Sequence, residues 1–473
     1  MIKTSYQKTR WTEKLPSIVH ELCQSIAQKS GKAWLVGGSV RDLCLQQCIN
    51  DFDLEVYGLN AKKLIEIAQK FGHTEQLGKH FGVIKLWTHG YEIDLALPRI
   101  EKKIATGHRG FDVHSDPQLS TKTASKRRDF TINAMMFDPL TLELLDFHQG
   151  QQDLTKGVLR HVSLAFSEDP LRVLRAMQFA ARFKFTLAPE TATLCHALLP
   201  EIAKLPASRV WCEWQKWAHA PYPSFGLTAL KDSGCLPGLY PALQALTTCP
   251  QDSRWHPEGN VWLHTLQVCD QAALISKRQG LDSESCEHLI FAALCHDLGK
   301  PATTFTDANG NIRSPNHSAA GLKPSRAFLA HISAPKRVAQ YIQPLVHDHI
   351  THLCGAPSSR AVRRLAQRLE PASIALWEML VEADASGRRP APAGRPALNW
   401  LEKAKSQGNQ CKKTPAIVHG RMLLDMGMTS GASMGVCIRA AYQAQLDGEF
   451  HDIASAKAWL NIYLETLSNT IQK

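Results

Sequence analysis

With 473 residues, 44% of them hydrophobic, the chain is too long for one core, and its length fits about three domains. Its 54 Lys and Arg against 43 Asp and Glu leave a net charge of +11, a balance that favours a polyanionic partner such as RNA. Thirteen scattered cysteines without a Cys-x-x-Cys pair argue against a disulfide framework and a zinc ribbon, and no run approaches the roughly 18 apolar residues of a membrane span, so a reducing, cytoplasmic setting with no membrane partner is expected.

Residues 1–33 read as a lead-in with one amphipathic helix over 15–29. The stretch Leu35-Val36-Gly37-Gly38-Ser39-Val40-Arg41-Asp42 is an apolar run that ends in two glycines and turns amphipathic. That pattern predicts a strand, a tight turn and a helix, with backbone N–H groups aimed at whatever sits above the turn, a seat for phosphate. In Asp51-Phe52-Asp53-Leu54-Glu55-Val56 the period of two sends Asp51 and Asp53 to one face of a second strand. Two like charges held side by side call for a cation, and beside a phosphate seat they suit Mg²⁺-dependent chemistry on a nucleoside triphosphate. A helix over 61–71 follows, then a hairpin of Phe81–Trp87 and Tyr91–Leu97 whose second strand brings Asp94 toward the first two acids; an ordinary exposed strand acid is the alternative there. Residues 101–126, polar and without a period, read as a mobile loop.

Ser167-Glu168-Asp169-Pro170-Leu171-Arg172 reads as a helix start, with Ser167 as N-cap and Asp169 and Arg172 three apart on one face. A carboxylate accepts from an exocyclic amine while a guanidinium donates to ring nitrogens and carbonyls. Cytosine and adenine both offer an amine beside a ring-nitrogen acceptor, so one Asp/Arg pair serves both bases, whereas uracil and guanine present the opposite order. Beyond Phe183 the chain reads as successive helices, with Trp211, Trp214 and Trp217 on one of them and a boundary over 221–260.

A second constellation comprises His264, His296-Asp297, His317, His347-Asp348-His349 and Asp384. An adjacent His-Asp with a His upstream and an Asp downstream supplies imidazole and carboxylate to a divalent metal. Residues 387–414, rich in Pro, Arg, Lys and Gly, read as a linker able to touch RNA phosphates, and helices over 440–449 and 454–467 close the chain.

Gly37-Gly38-x-Val40-Arg41-Asp42 followed by Asp51-x-Asp53 resembles the head of the tRNA nucleotidyltransferase and poly(A) polymerase group, of the bacterial class II type within the polymerase-β-like superfamily. The resemblance implies a third catalytic carboxylate at Asp94, Gly37, Gly38 and Arg41 on the triphosphate, and Arg128 and Asp129 at the ribose. It further implies that the loop over 101–126 closes on the active site, that residues 146–162 form a hinge, and that Asp169, Arg172 and Arg175 read the nucleotide. The segment Ser208–Lys216 would steady the reading helix. The histidine constellation resembles the HD metal-dependent phosphohydrolases, which implies a metal on His264, His296, Asp297 and a distal Asp. Asp384 is preferred over Asp348 for its helical Ala-Asp-x-x-Gly-Arg context, and His317 and His347 are candidates for a second site. Joined to such a head, this domain resembles those with 2′,3′-cyclic phosphodiesterase and phosphatase activity, and its metal would be a transition ion such as Ni²⁺ or Mn²⁺.

The expectation is therefore an α+β protein: a lead-in (1–33), a nucleotidyltransferase head (34–160), an all-α neck (161–250), an α-helical HD domain (251–390), and a linker with a helical tail (391–473). The expected activity is Mg²⁺-dependent, template-independent addition of C, C and A to tRNA from CTP and ATP. A poly(A) polymerase, an enzyme adding only part of CCA, an HD phosphohydrolase with a vestigial head and a non-catalytic RNA-binding protein are the alternatives.

Overall fold

The apolar run before the glycine pair forms β1 (Lys32–Val36), and the acid-bearing stretch forms β2 (Phe52–Tyr57) beside it. The computed structural model describes residues 11, 14–49, 51–77, 83–103, 111–391 and 393–471. It divides into two units, Met1–Leu239 and Tyr240–Lys473. In the first, β3 (His73–Leu77), β4 (Val83–Thr88), β5 (Tyr91–Ala96), β8 (Met136–Phe137) and β9 (Leu144–Leu145) complete a seven-stranded mixed sheet in the order β3-β4-β5-β2-β1-β8-β9. Only β2 and β5 run parallel within it; the other pairs are antiparallel. Phe52, Leu54 and Val56 are buried as the alternation requires, and β1 is covered by α1 (Ser17–Gln28), which buries Ile18, Val19, Leu22 and Ile26 at helical spacing. The β4–β5 hairpin turns on His89 and Gly90, both at positive φ, the two-residue geometry that matches strand twist. Phe81 and Gly82, expected in this hairpin, lie outside the described residues.

Two expectations here are corrected. Within 101–126, read as a loop, β6 (Arg99–Lys103) pairs antiparallel with β7 (Phe111–Ser115), and a short helix, α2 (Thr121–Ser125), follows. Backbone pairing holds this ribbon, and charged residues in its alternation hid it from a hydrophobic-period reading. The helix expected to be capped by Ser167 begins later, at Leu171. Residues Leu164–Glu168 form a 3₁₀ turn capped by Ser163, and Asp169 is extended because the residue before a proline avoids the α region. That helix, α3 (Leu171–Phe183), packs on α4 (Ala207–Ala218) and α5 (Pro223–Asp232). Trp211, Trp214 and Trp217 are buried between them, and Gly226 lets α5 approach closely, since a Cβ there would stand 2.7 Å from the Met177 carbonyl oxygen.

The second unit is almost wholly helical. Its centre is α7 (Ser283–Cys295), whose residues from Leu289 to Cys295 are all fully buried between α6 (Val261–Gln279), α8 (Lys336–Asp348) and α10 (Ile374–Ser386). Helix α9 (Ser359–Leu369) packs on α11 (Ala432–Asp447), which with α12 (Ile453–Ile471) wraps a separate small core around Leu423, Cys437, Phe450 and Leu460. The expected linker over 387–414 contains a helix, Leu398–Ser406, and Trp400 from it stacks edge-on against Trp377 at 5.7 Å. A tertiary aromatic partner, invisible locally, orders that segment. Among the described residues no helix is long and apolar enough to cross a membrane.

Candidate active site and metal centre

In the sheet, the parallel register of β2 and β5 sets Asp53 directly opposite Asp94, on the same face. Asp51 is exposed just before β2, and Ser39 ties the turn to the strand: its Oγ donates to the Asp51 carbonyl (2.8 Å) and accepts from the Asp53 N–H (3.3 Å). Gly37 sits at φ +70°, and a Cβ there would lie 3.3 Å from Asp53 Oδ2 and 3.2 Å from Arg128 Nη1. The glycine therefore serves twice, for its conformation and for the room it leaves beside the acids. Burial pushes the Asp53 carboxyl up, Asp94 and Asp51 push it further, and Arg128 and Lys85 oppose them. Among the described residues, Asp94 Oδ1 is buried without a hydrogen bond, 3.4 Å from Lys85 Nζ. A carboxyl whose proton affinity two neighbouring acids raise, beside one with an unbonded buried oxygen, fits a divalent cation.

An ionic frame continues along this face. Glu55, fully buried, accepts from Arg127 (2.8 Å), Arg128 (3.2 Å) and the Tyr57 hydroxyl (2.6 Å); burial works against its ionisation, and the two guanidinium groups outweigh burial to hold its carboxyl below the usual range. Sequence reasoning gave Glu55 no part, although the alternation that aligns Asp51 and Asp53 continues to it. Asp129 accepts from the Phe130 N–H, from Asn133 and from Arg175 Nε (2.8 Å), so Asp129 and Arg175 meet in one ion pair. Arg41 is corrected. Expected on the triphosphate, it is 3% exposed, with Nε and Nη2 on Asp42 (2.8 and 3.0 Å), Nη1 on Asn133 (2.7 Å) and its plane 4.6 Å from the Phe183 ring centre. Those bonds make it a brace under the turn.

Asp169 and Arg172 are both held, though not by each other. Asp169 Oδ1 accepts from the Leu171 N–H (3.1 Å) and Oδ2 from Arg209 Nη2 on α4 (2.8 Å), while Arg172 donates to the carbonyls of Ala165 (2.7 Å) and Arg127 (2.6 Å). Asp169 thus precedes α3 instead of lying on its face, and Arg209 in the Ser208–Lys216 segment is its anchor.

In the second unit, helices converge on a buried cluster. His264 Nε2 lies 3.0 Å from Asp384 Oδ1, His296 Nε2 3.2 Å from Asp297 Oδ2, and His317 Nε2 3.5 Å from Asp297 Oδ1. Among the described residues three overlapping sets suited to a metal result, His256/Glu258/His264, His264/His296/Asp297 and Asp297/His317/His349. Among the described residues, His296 Nε2 and Asp297 Oδ1 are buried without hydrogen bonds, so the donors fit a divalent ion. The far ring nitrogens are pinned: His296 Nδ1 at the Ala293 carbonyl (2.7 Å), His317 Nδ1 at Ser314 (2.8 Å), His349 Nδ1 at Val346 (2.7 Å) and His264 Nδ1 at Glu258 (2.8 Å). Burial, with His296 adding, pushes His349 down to about 3.

One expectation changes here. His347 is half-exposed and 3.1 Å from Asp348 Oδ2, and His349 takes the inward place. Residues two apart at a helix end point to opposite sides, and nothing local says which side is inside. Asp348 is occupied by Arg368 (2.7 Å) and Thr351 (2.9 Å), away from the cluster, whereas Asp384 is in it. Glu258 and its neighbour His256, 2.9 Å apart, were also missed; the only local signal was an acid six residues before His264.

A mixed sheet with clustered acids beside a glycine turn, followed by helices, defines a nucleotidyltransferase head with a helical companion. A family model described as the poly A polymerase head domain matches residues 33–160, and one described as the probable RNA and SrmB-binding site of polymerase A matches 184–246. The multifunctional CCA protein of Pasteurella multocida (strain Pm70) is 35% identical over 368 residues, 76% of this chain and 84% of that protein. That of Xanthomonas campestris pv. campestris (strain B100) is 36% identical over 423 residues, 87% of this chain and 97% of that protein. The fold is similar to the crystal structure of Bacillus stearothermophilus CCA-adding enzyme in complex with CTP, with a TM-score of 0.62, 20% identity and coverage of 95% of this chain and 98% of that one. The chain belongs to the multifunctional CCA protein family.

Proposed function

We propose that this enzyme adds C, C and A to the 3′ end of tRNA from CTP and ATP, in the cytosol, and that its second unit hydrolyses phosphate esters. The observation that carries the first part is the register of Asp53 opposite Asp94 beside Gly37. Asp51, Asp53 and Asp94 would hold Mg²⁺. Mg²⁺ bound there supplies activation of the tRNA 3′-hydroxyl and charge neutralisation on the departing pyrophosphate. Gly37 and Gly38 leave the backbone open to the triphosphate, and Arg128 and Asp129 stand at the ribose. Asp169 accepts from the exocyclic amine of cytosine or adenine while Arg172 donates to the neighbouring ring acceptor, and Arg209 keeps Asp169 oriented. A template made of protein must be stiff, and both groups are bonded to their surroundings.

For the second unit, His264, His296, Asp297 and Asp384 would hold a transition ion such as Mn²⁺ or Ni²⁺, with His317 and His349 as a further pair on Asp297. The ion supplies Lewis-acid activation of water and ester. Cyclic 2′,3′-phosphates and phosphomonoesters at RNA ends are the proposed substrates.

The test is incubation of tRNAs truncated before each of the last three nucleotides with labelled CTP and ATP. Wild type is expected to restore CCA and stop, and Asp53→Ala to incorporate neither nucleotide. Incorporation that survives the substitution overturns the reading; products longer than CCA favour a poly(A) polymerase, and products that stop short favour partial addition.

A further inference from the structure

The cations around the histidine cluster are nearly all engaged. Lys300 donates to Gln251 Oε1 (2.7 Å) and pairs with Asp297 Oδ2 (2.7 Å). Arg368 is on Asp348, and Arg278 and Arg395 are on Glu382 and Glu378. Arg388 is different. It follows Asp384 by one helical turn at the end of α10, and its Nη2 stands 3.7 Å from Asp384 Oδ1, beyond hydrogen-bond reach. Its Nε is buried without a partner, and among the described residues its side chain makes no hydrogen bond, while 36% of the side chain remains exposed.

Its direction is built in. A Cβ at Gly387 would lie 2.6 Å from Val268 Cγ2 and 3.1 Å from the Val268 backbone nitrogen, so only glycine lets the end of α10 press against α6 and turn Arg388 toward the cluster. A half-sunken guanidinium with a single long ion pair is costly unless something completes its hydrogen bonds. Once Asp384 is committed to a divalent ion, its hold on Arg388 weakens, and the planar fork is left facing the place where a phosphate would sit. A plain i,i+4 surface pair is the competing account, and such pairs contribute little.

We propose that Arg388 binds the non-bridging oxygens of the phosphate ester at the histidine cluster. This rests on the phosphohydrolase reading of the second unit, so the test keeps the two apart. The full chain is loaded with Mn²⁺, and its affinity for inorganic phosphate is measured by calorimetry together with kcat and KM for bis(p-nitrophenyl) phosphate. Arg388→Ala and Arg388→Gln are expected to weaken phosphate binding and raise KM roughly 10- to 100-fold, with Arg388→Lys between them and wild type. The same neutral variants should bind Mn²⁺ about two- to fivefold tighter at low salt, because a positive charge beside Asp384 has gone. Loss of a structural contact would move metal affinity the other way and lower the thermal midpoint in chelator. Unchanged phosphate affinity and KM, or weaker Mn²⁺ binding, would overturn the role of Arg388 while leaving hydrolysis in place. A wild type that neither binds phosphate nor hydrolyses the ester would remove the phosphohydrolase reading itself.

Discussion

In the sheet, Asp53 meets Asp94 because two adjacent parallel strands are in register; in the second unit, His264 meets Asp384 across 120 residues of chain because helices pack. The first arrangement is held by backbone hydrogen bonds and needs little from neighbouring side chains beyond the Glu55 frame. The second depends on an outer layer, with each ring nitrogen pinned by a carbonyl or by Glu258. A centre built on a ladder should therefore fail only when its acids are removed. A centre built on packing should also fail when its supports are removed.

Substitutions can break or sharpen that contrast. The largest effect is expected for Asp53→Ala, on the order of 10³-fold or more in nucleotide incorporation, measured on truncated tRNA, with ester hydrolysis unchanged; a parallel fall in both would mean that the centres are not separable. Asp297→Ala should do the converse, abolishing ester hydrolysis while incorporation stays within about twofold, since Asp297 joins two of the ligand sets. Glu258→Ala should weaken Mn²⁺ binding roughly 10- to 100-fold in a direct titration. Glu258→Gln, which keeps an acceptor for His264, should lose much less. The smallest effect falls on the stiff template: Arg209→Ala should raise misincorporation of UTP relative to CTP by about tenfold, with under about 1 kcal/mol lost in denaturant unfolding because the Arg209–Asp169 pair is partly exposed. A Glu258→Ala variant with intact metal affinity would dissolve the distinction between the two centres.

Alternation made Asp51 and Asp53 legible, and the glycine pair marked the turn, since both follow from one strand's own geometry. The adjacent His296-Asp297 was legible as residue chemistry. Arg41 was misread because a guanidinium beside a phosphate seat and one bonded to Asp42 and Asn133 look alike until residue 133 is brought alongside. His347 and His349 were interchangeable in sequence, since the inward side of α8 is defined by α7 and α10.

By itself, the sequence determined the order of the strands and helices that carry the acids, the two candidate chemistries, and the residue types able to perform them, because period and turn propensity act over a few neighbouring residues. Only the tertiary structure decided which histidine faces inward, that Asp169 leans on Arg209, that Glu55 anchors the arginines, and that the Arg388 side chain is left without a hydrogen bond among the described residues. Those outcomes depend on which distant group occupies the last few ångströms, and no local pattern encodes that choice.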